Sequence, residues 1–166
     1  MQEVQKALSK FGRHVVKEAR TSLTKNKKNA SKVLYNSIRY ELDVYKNSFS
    51  LAFYMEDYAT FVDKGVSGTK RKYNTPYSYK TKMPPSSVFE KWIKQKGIKG
   101  RDKKGRFITH KSLSFLIARS IFNKGIKPSL FFTKPFESAF KNLPDDLVQK
   151  FGLDVEELLD HTLKKL

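Results

Sequence analysis

The stretch SIRYELDVYKNSFSLAFYM, residues 37–55, decides the fold because apolar and polar residues alternate on both sides of a polar turn. The two apolar sets are Ile38, Tyr40, Leu42 and Val44, followed by Phe49, Leu51, Phe53 and Met55. Successive side chains of a strand point to opposite faces, so each set occupies one face. With Lys46-Asn47-Ser48 as the turn, the stretch predicts an antiparallel hairpin with one buried face.

Helical spacing dominates on both sides of this hairpin. Residues Val4, Leu8, Phe11, Val15 and Ala19 recur at intervals of three and four, which predicts a helix of about 25 residues. Helices are also predicted over about Ser86–Lys96 and over His110–Asn123. The second carries the apolar stripe Leu113, Leu116, Ile117 and Ile121 and ends at Gly125.

The stretch YATFVDKG, residues 58–65, predicts a short helix directly after the hairpin. Tyr58, Phe61 and Val62 share one helical face, and we expect them to point inward and hold the helix on the hairpin. Asp57 is a natural cap for its start. Gly65 is suited to the left-handed conformation that closes a helix.

The last forty residues predict an extended segment and three helices. Leu130–Phe132 are expected to be extended, and Pro135 fits the first turn of the next helix, beside Phe136. Pro144 opens a short helix that Gly152 ends, and Asp154 with Glu157 forms the capping-box pattern of a final helix. The predicted class is α+β, with a small antiparallel sheet packed against a long N-terminal helix and several further helices.

A strong positive charge is the chief clue to a partner. The 166 residues include 34 Lys and Arg but 16 Asp and Glu, for a net charge of +18 and a pI near 10. Residues 64–106 alone carry fourteen cations against Glu90 and Asp102. We expect a long exposed loop there, facing a polyanion or an acidic protein. The cations predicted to face it are Lys70, Arg71, Lys72, Lys80, Lys82, Lys99, Arg101, Lys103, Lys104 and Arg106.

Aromatic residues interleave with these cations. Tyr73, Tyr77, Tyr79 and Phe107 are the aromatic members, a mixture suited to phosphate contacts with base stacking. A solvated loop that orders against an acidic neighbour fits the same composition, and the sequence leaves both alternatives open. Trp92 is expected to lie in the core, since it follows Phe89 by three positions in a predicted helix.

Catalysis has weak support in the sequence. The chain has no cysteine, and His14, His110 and His161 form no close pair, so we expect no metal site. Glu56, Asp57 and Asp63 are the one acidic group that a metal-dependent nuclease would use, which keeps that enzyme as an alternative. There is no P-loop and no nucleophile elbow. We expect no enzyme activity and no cofactor.

The chain is also expected to be soluble and unexported, without a membrane contact. Its first twenty residues lack the apolar core of a signal peptide, and no run approaches the roughly 18 apolar residues of a membrane span.

Two motifs carry a resemblance to a known family. Residues 58–65 match Y-A-x-[YF]-V-[ED]-x-G, and residues 135–140 match P-F-x-x-A-[FL], in the order long helix, hairpin, first motif, insertion, second motif. The chain resembles the tail-completion, or head-to-tail joining, proteins of tailed bacteriophages. The resemblance covers roughly residues 5–65 and 125–165, and residues 74–124 depart from it as a long helical insertion.

This resemblance implies a structural virion protein of the phage neck or tail, made in the host cytoplasm. Its expected partners are sister copies in a ring of 6 or 12, adjoining portal, adaptor or tail proteins, and packaged DNA in the channel. It implies one domain, with a core of about 1–65 and 125–166 and a basic insertion of about 66–124. Alternatives are a tail-tube or other neck ring protein of a short-tailed phage, and a basic DNA-binding protein.

Overall fold

The structure, a computed structural model, describes residues 2–28, 31–46 and 48–163. It confirms the α+β class, with helices and two small antiparallel sheets. The elements are α1 (Gln2–Lys25), α2 (Val33–Ser37), β1 (Arg39–Val44), β2 (Phe49–Tyr54), α3 (Ala59–Lys64), β3 (Val66–Ser67), α4 (Val88–Lys96), α5 (His110–Lys124), β4 (Gly125–Ile126), α6 (Thr133–Phe140) and α7 (Leu143–Leu163).

The chain divides into two compact units. The first unit comprises Met1–Lys25, Leu34–Glu56 and Phe131–Leu166. The second unit comprises Asn26–Val33 and Asp57–Leu130, so it contains the predicted insertion together with α3.

The predicted hairpin and N-terminal helix of the first unit are confirmed. Strands β1 and β2 pair antiparallel from Arg39 opposite Tyr54 to Val44 opposite Phe49. In the predicted turn, the backbone N–H of Tyr45 donates to the carbonyl of Ser48 at 2.9 Å, while Asn47 lies outside the described residues. Helix α1 buries the predicted positions Val4, Phe11, Val15 and Ala19, with Leu8 half-buried.

Aromatic rings from α1, β2, α6 and the turn before α6 fill the core of the first unit. The ring of Phe136 in α6 lies 5.8 Å from that of Phe11 and 5.9 Å from that of Phe53, both in edge-to-face contact. Phe132 stacks on Phe136 at 5.8 Å, and Leu143 closes the cluster from α7. Such pairs add to the stabilisation from buried area. The motif at 135–140 therefore contributes directly to this core, and Pro135 occupies the first turn of α6 as predicted.

The C-terminal helices differ from the prediction. Helix α7 runs unbroken through Gly152, which is exposed, so the predicted pair of short helices is one long helix. Asp154 caps no helix of its own. Instead it is buried, and its two carboxylate oxygens accept the backbone N–H groups of Glu3 and Val4, each at 3.1 Å. These N–H groups belong to the first turn of α1, where no intrahelical acceptor exists.

Asp154 gives the fold a predicted acid sensitivity. Burial raises the pKa of its carboxyl, but the hydrogen bonds at the start of α1 outweigh this and lower the pKa to about 2, from 3.8. The lowered pKa contributes stability above pH 3.8, and this contribution disappears as the pH falls through 2. We expect Asp154→Ala to lower the melting temperature by several degrees at neutral pH. The difference from wild type should shrink below pH 3.8.

Thermal melts of Asp154→Ala from pH 7 to pH 2 check this cap. Glu156→Ala is the matched control, because Glu156 is an exposed acid two positions further along the same helix. An equal loss in both variants would show that the carboxylate of Asp154 has no particular role at α1.

The segment before α6 is not extended. Leu130 has φ of 50°, and Phe132 has φ of −102° and ψ of −47°. The backbone N–H of Leu130 donates to the carbonyl of Asp63 at 3.0 Å. Residues 130–132 thus make a turn, with Phe131 fully buried.

In the second unit, the helices α4 and α5 agree with the prediction, but their apolar faces are partly wrong. Ile93 is fully buried on α4, whereas Trp92 is 38% exposed and does not serve as a core residue. On α5 the buried positions are Ser114 and Ala118, and the predicted stripe member Leu116 is 49% exposed.

The second unit contains a short β3–β4 pair with a glycine of positive φ at or just before the start of each strand. Strands β3 and β4 pair antiparallel through Val66 and Ile126. Gly65 precedes β3 with φ of 73° and ψ of 179°, and Gly125 opens β4 with φ of 73° and ψ of −168°. The positive φ predicted at Gly65 is confirmed, but its ψ lies in an extended region that essentially only glycine adopts, rather than in a left-handed helical turn.

Candidate polyanion-binding surface

The positive charge is concentrated in the second unit. Its sequence ranges hold twenty-one Lys and Arg against four Asp and Glu, a net charge of +17, whereas the first unit holds thirteen against twelve, a net charge of +1. A unit with this excess draws polyanions by its summed field. The second unit is therefore where a polyanion would bind.

All ten predicted partner-facing cations are exposed. They lie on separate segments of the second unit. Lys70, Arg71 and Lys72 occupy a turn at the end of α5, and Lys80 lies on the edge of an apolar hollow. Lys82 and Lys99 lie in the segments that flank α4. Four cations, Arg101, Lys103, Lys104 and Arg106, are brought together on one short hairpin.

The first basic segment is more ordered than the predicted long exposed loop. The backbone N–H groups of Thr69 and Lys70 donate to the carbonyls of Phe122 and Asn123, both at 2.9 Å. These carbonyls belong to the last turn of α5, which has no intrahelical donors left. Cations at a helix C-terminus also meet the negative end of its dipole. The turn that carries Lys70, Arg71 and Lys72 is thus fixed by its backbone.

Two of the four interleaved aromatic residues pack against other rings of the second unit. Over residues 73–80 half-buried and exposed positions alternate, and Tyr73, Tyr77 and Tyr79 are on the half-buried side. Tyr77 contacts the ring of Phe61 at 4.7 Å, and Tyr79 lies 6.2 Å from that of Phe122. Partial burial raises the pKa of the Tyr79 phenol above its usual value. Tyr77 and Tyr79 thus anchor the segment and are poorly placed to stack on bases, whereas the guanidinium carbon of Arg71 lies 5.2 Å from the centre of the Tyr73 ring.

Phe107 is the exposed member of the four aromatic residues. It is 62% exposed, and the guanidinium carbon of Arg101 lies 4.2 Å from the centre of its ring. Residues 100–108, which we call the basic hairpin, hold this pair across an antiparallel bridge between Arg101 and Phe107. The hairpin is the one part of the predicted surface that combines clustered cations with an exposed aromatic ring.

No family model, curated protein or solved structure matches this chain. The functional assignment therefore depends on the residues and their geometry.

Two residues of the first motif that were predicted to face inward are instead exposed. Tyr58 and Phe61 are 43% and 42% exposed, so the prediction that they face inward is wrong. With Val62 they line an open hollow of about 670 Å³ within the second unit, next to Tyr77. The buried residues of α3 are Ala59 and Asp63, and Tyr58 is the N-cap residue in place of Asp57, although its side chain does not cap the helix by a hydrogen bond.

The acidic group considered for a nuclease is not assembled into a site. Asp63 is buried with 5% exposure, whereas Asp57 is exposed. Within the described residues, no three His, Asp or Glu side chains converge to hold a metal ion. Across the same residues, no helix has both the length and the apolar character to cross a membrane.

Sequence reasoning missed two features of this surface. Half-buried and exposed residues alternate over residues 73–80 with a period of two. The spacing of two positions between Tyr77 and Tyr79 was the signal that could have predicted this alternation. Asp102 was counted only as a lone acid among cations. Yet the segment Asp102-Lys103-Lys104-Gly105 has Asp at the first and Gly at the fourth turn position, which is typical of a β-turn.

Proposed function

We propose that this chain is a structural, non-catalytic subunit of a tailed-phage neck, a tail-completion or head-to-tail joining protein that forms a ring with sister copies. The two sequence motifs and their order carry the family resemblance. The separation of charge into the second unit carries the further proposal that this unit faces a polyanion, either packaged DNA or an acidic adjoining protein.

An exposed apolar stripe supports the contact between sister copies. Val148, Phe151 and Val155 recur at spacings of three and four on α7 and are 74%, 52% and 38% exposed. Exposed Asp145 and Glu156 flank the stripe. A second copy of a chain with charge +18 offers abundant cations to such an acid-bordered surface. We assign this stripe to the contact between copies.

The mass of the purified protein tests this assignment. We expect a closed ring of 6 or 12 copies by light scattering and negative-stain imaging, because a head-to-tail interface whose rotation closes generates a ring. The double variant Val148→Asp/Phe151→Asp should fall to monomer, since it places two charges within an apolar contact. Phe115→Asp, an equally exposed aromatic position on α5, is the control and should retain the ring.

A wild-type protein that stays monomeric at every concentration and is absent from virions would refute the ring.

The second candidate function, a DNA-binding protein acting as a monomer, is favoured by the charge of the second unit. It predicts that the isolated monomer binds DNA with strong salt dependence. The nuclease alternative predicts cleavage of DNA in the presence of Mg²⁺ or Mn²⁺, whereas we expect the DNA to remain uncut.

A further inference from the structure

The basic hairpin is held in one shape by an acid at its centre. The carboxylate of Asp102 accepts the backbone N–H groups of Lys104 and Arg106, both at 2.9 Å, and the Nε–H of Arg106 at 3.0 Å. The backbone N–H of Arg106 lowers the pKa of Asp102, helped by its guanidinium and by the N–H of Lys104, and burial partly opposes this. Asp102 is therefore charged at neutral pH and engaged with the turn.

Other contacts complete the hairpin. The backbone N–H of Asp102 donates to the carbonyl of Arg106 at 2.8 Å, and that of Gly105 donates back to Asp102 at 3.0 Å. Gly105 has φ of 80°, which a residue with a side chain rarely adopts. The Nη1 of Arg101 donates to the carbonyl of Gly105 at 3.0 Å. The two arginines are thus oriented by hydrogen bonds within the hairpin.

The cations remain available to a ligand. Lys103 and Lys104 are exposed at the tip between the hydrogen-bonded ends of the turn. The side chain of Arg106 is 74% exposed despite its contact with Asp102. That contact uses Nε, and a guanidinium carries four further N–H donors on its two Nη atoms. Four cations within six residues are therefore exposed on a backbone that these hydrogen bonds fix.

From this geometry we propose that the basic hairpin is a preformed clamp for the phosphate backbone of duplex DNA, and that Asp102 is its positioning residue. The inference rests on the part of the proposed function that assigns a polyanion to the second unit. A ring of sister copies is not required for it. The contact is independent of base sequence, because lysine and arginine bound to phosphate fix position without reading bases.

Two observations favour DNA over an acidic protein. The two arms of the basic hairpin are joined by one antiparallel bridge, and a narrow two-stranded arrangement of this kind fits the major groove of duplex DNA. The hairpin also places four cations within the six residues 101–106, a charge density that suits the closely spaced phosphates of duplex DNA. An acidic protein surface needs no such density of cations.

For one variant, the clamp and simple charge attraction predict opposite changes in DNA affinity. Asp102→Asn raises the net charge of the protein by one, so attraction alone predicts tighter binding. Asn keeps an acceptor for the backbone N–H groups of Lys104 and Arg106 but loses the oxygen that accepts from the Nε–H of Arg106. If Asp102 positions this arginine, the same variant binds DNA more weakly. We expect affinity for a random-sequence duplex to fall about fivefold, similar to the loss of one good phosphate contact.

Fluorescence anisotropy at several salt concentrations measures this effect. Glu90→Gln adds the same charge on α4, outside the hairpin, and should bind as tightly as wild type or tighter. Gly105→Ala changes no charge and meets no atom within 4 Å, so it disturbs the clamp only through its positive φ and should weaken binding in parallel. Lys103→Ala/Lys104→Ala should lower the slope of log affinity against log salt by about 2, since each phosphate contributes about 0.9.

Two outcomes overturn the clamp. One is binding by Asp102→Asn that equals or exceeds wild type while its salt slope is unchanged. The other is a wild-type protein that fails to bind the duplex at low ionic strength, which would assign the surface to an acidic protein. If Asp102→Asn also lowers the melting temperature, the DNA affinity of Gly105→Ala decides whether the clamp is correct. If the ring forms normally but Asp102→Asn binds DNA as tightly as wild type, the clamp alone is refuted. If the wild-type protein stays monomeric but Asp102→Asn binds DNA more weakly, the ring alone is refuted.

Discussion

Replacing Gly65 with valine is expected to disrupt the β3–β4 pair and to lower the free energy of unfolding by about 4 kcal/mol. The backbone of Gly65, with φ of 73° and ψ of 179°, occupies a region that is essentially restricted to glycine. A Cβ there would lie 2.5 Å from the carbonyl oxygen of Ile126 and 2.6 Å from the nitrogen of Pro128. Both are backbone atoms, which cannot rotate away as a flexible side chain can.

Chemical denaturation of Gly65→Val measures this loss, which is a large part of the roughly 5–15 kcal/mol available to a typical domain. Gly97→Val is the matched control. Gly97 also has a positive φ, 62°, but nothing lies within 4 Å of its added Cβ. Backbone strain alone should cost about 1–2 kcal/mol there. Equal losses at both positions would mean that the close approach of Ile126 and Pro128 to Gly65 has no energetic consequence.

The elements predicted correctly are those whose signal is local. Helix α1 has an apolar stripe long enough to set its period, and the hairpin has two alternating runs of matched length around a polar turn. In both, the spacing of apolar residues and the geometry of the element agree over many positions. Helices α4 and α5 were also located, although the exposure of Trp92 and Leu116 shows that composition alone did not fix which face is buried.

The elements predicted wrongly depend on residues far apart in sequence. Asp154 looks like the start of a helix when read with Glu157, yet it caps α1, 150 positions earlier, through the N–H of Val4. Gly152 looks like a helix end, yet α7 continues through it. Glycine weakens a helix by only about 1 kcal/mol, which contacts elsewhere along a long helix readily offset.

The candidate site was predicted in part. Its cations were identified correctly as exposed, because lysine and arginine are rarely buried. Their grouping was not, since the hairpin depends on the hydrogen bonds of Asp102 with Lys104 and Arg106. The roles of the tyrosines were also missed. Tyr77 anchors its segment through Phe61, a contact between residues sixteen positions apart that neither residue indicates by itself.

Replacing Phe136 with alanine is expected to destabilise the first unit by about 3 kcal/mol, near the lower end for a core aromatic residue because its side chain is only half-buried. The ring contacts those of Phe11, Phe53 and Phe132 at 5.8, 5.9 and 5.8 Å. Its removal takes one ring contact from each of these three residues, which keep the contacts of Phe53 with Phe11 and Phe132. Thermal or denaturant unfolding measures the loss.

Phe140→Ala is the matched control, one helical turn further along α6. Phe140 stacks on Phe136 at 5.6 Å but is 49% exposed, so its loss should cost about 1 kcal/mol. Because Phe136→Ala leaves every cation of the second unit in place, duplex affinity measured well below the melting temperature should match wild type. A folded Phe136→Ala protein with weakened DNA binding would contradict the assignment of that binding to the second unit, whereas an unchanged affinity separates the aromatic core from the charged surface.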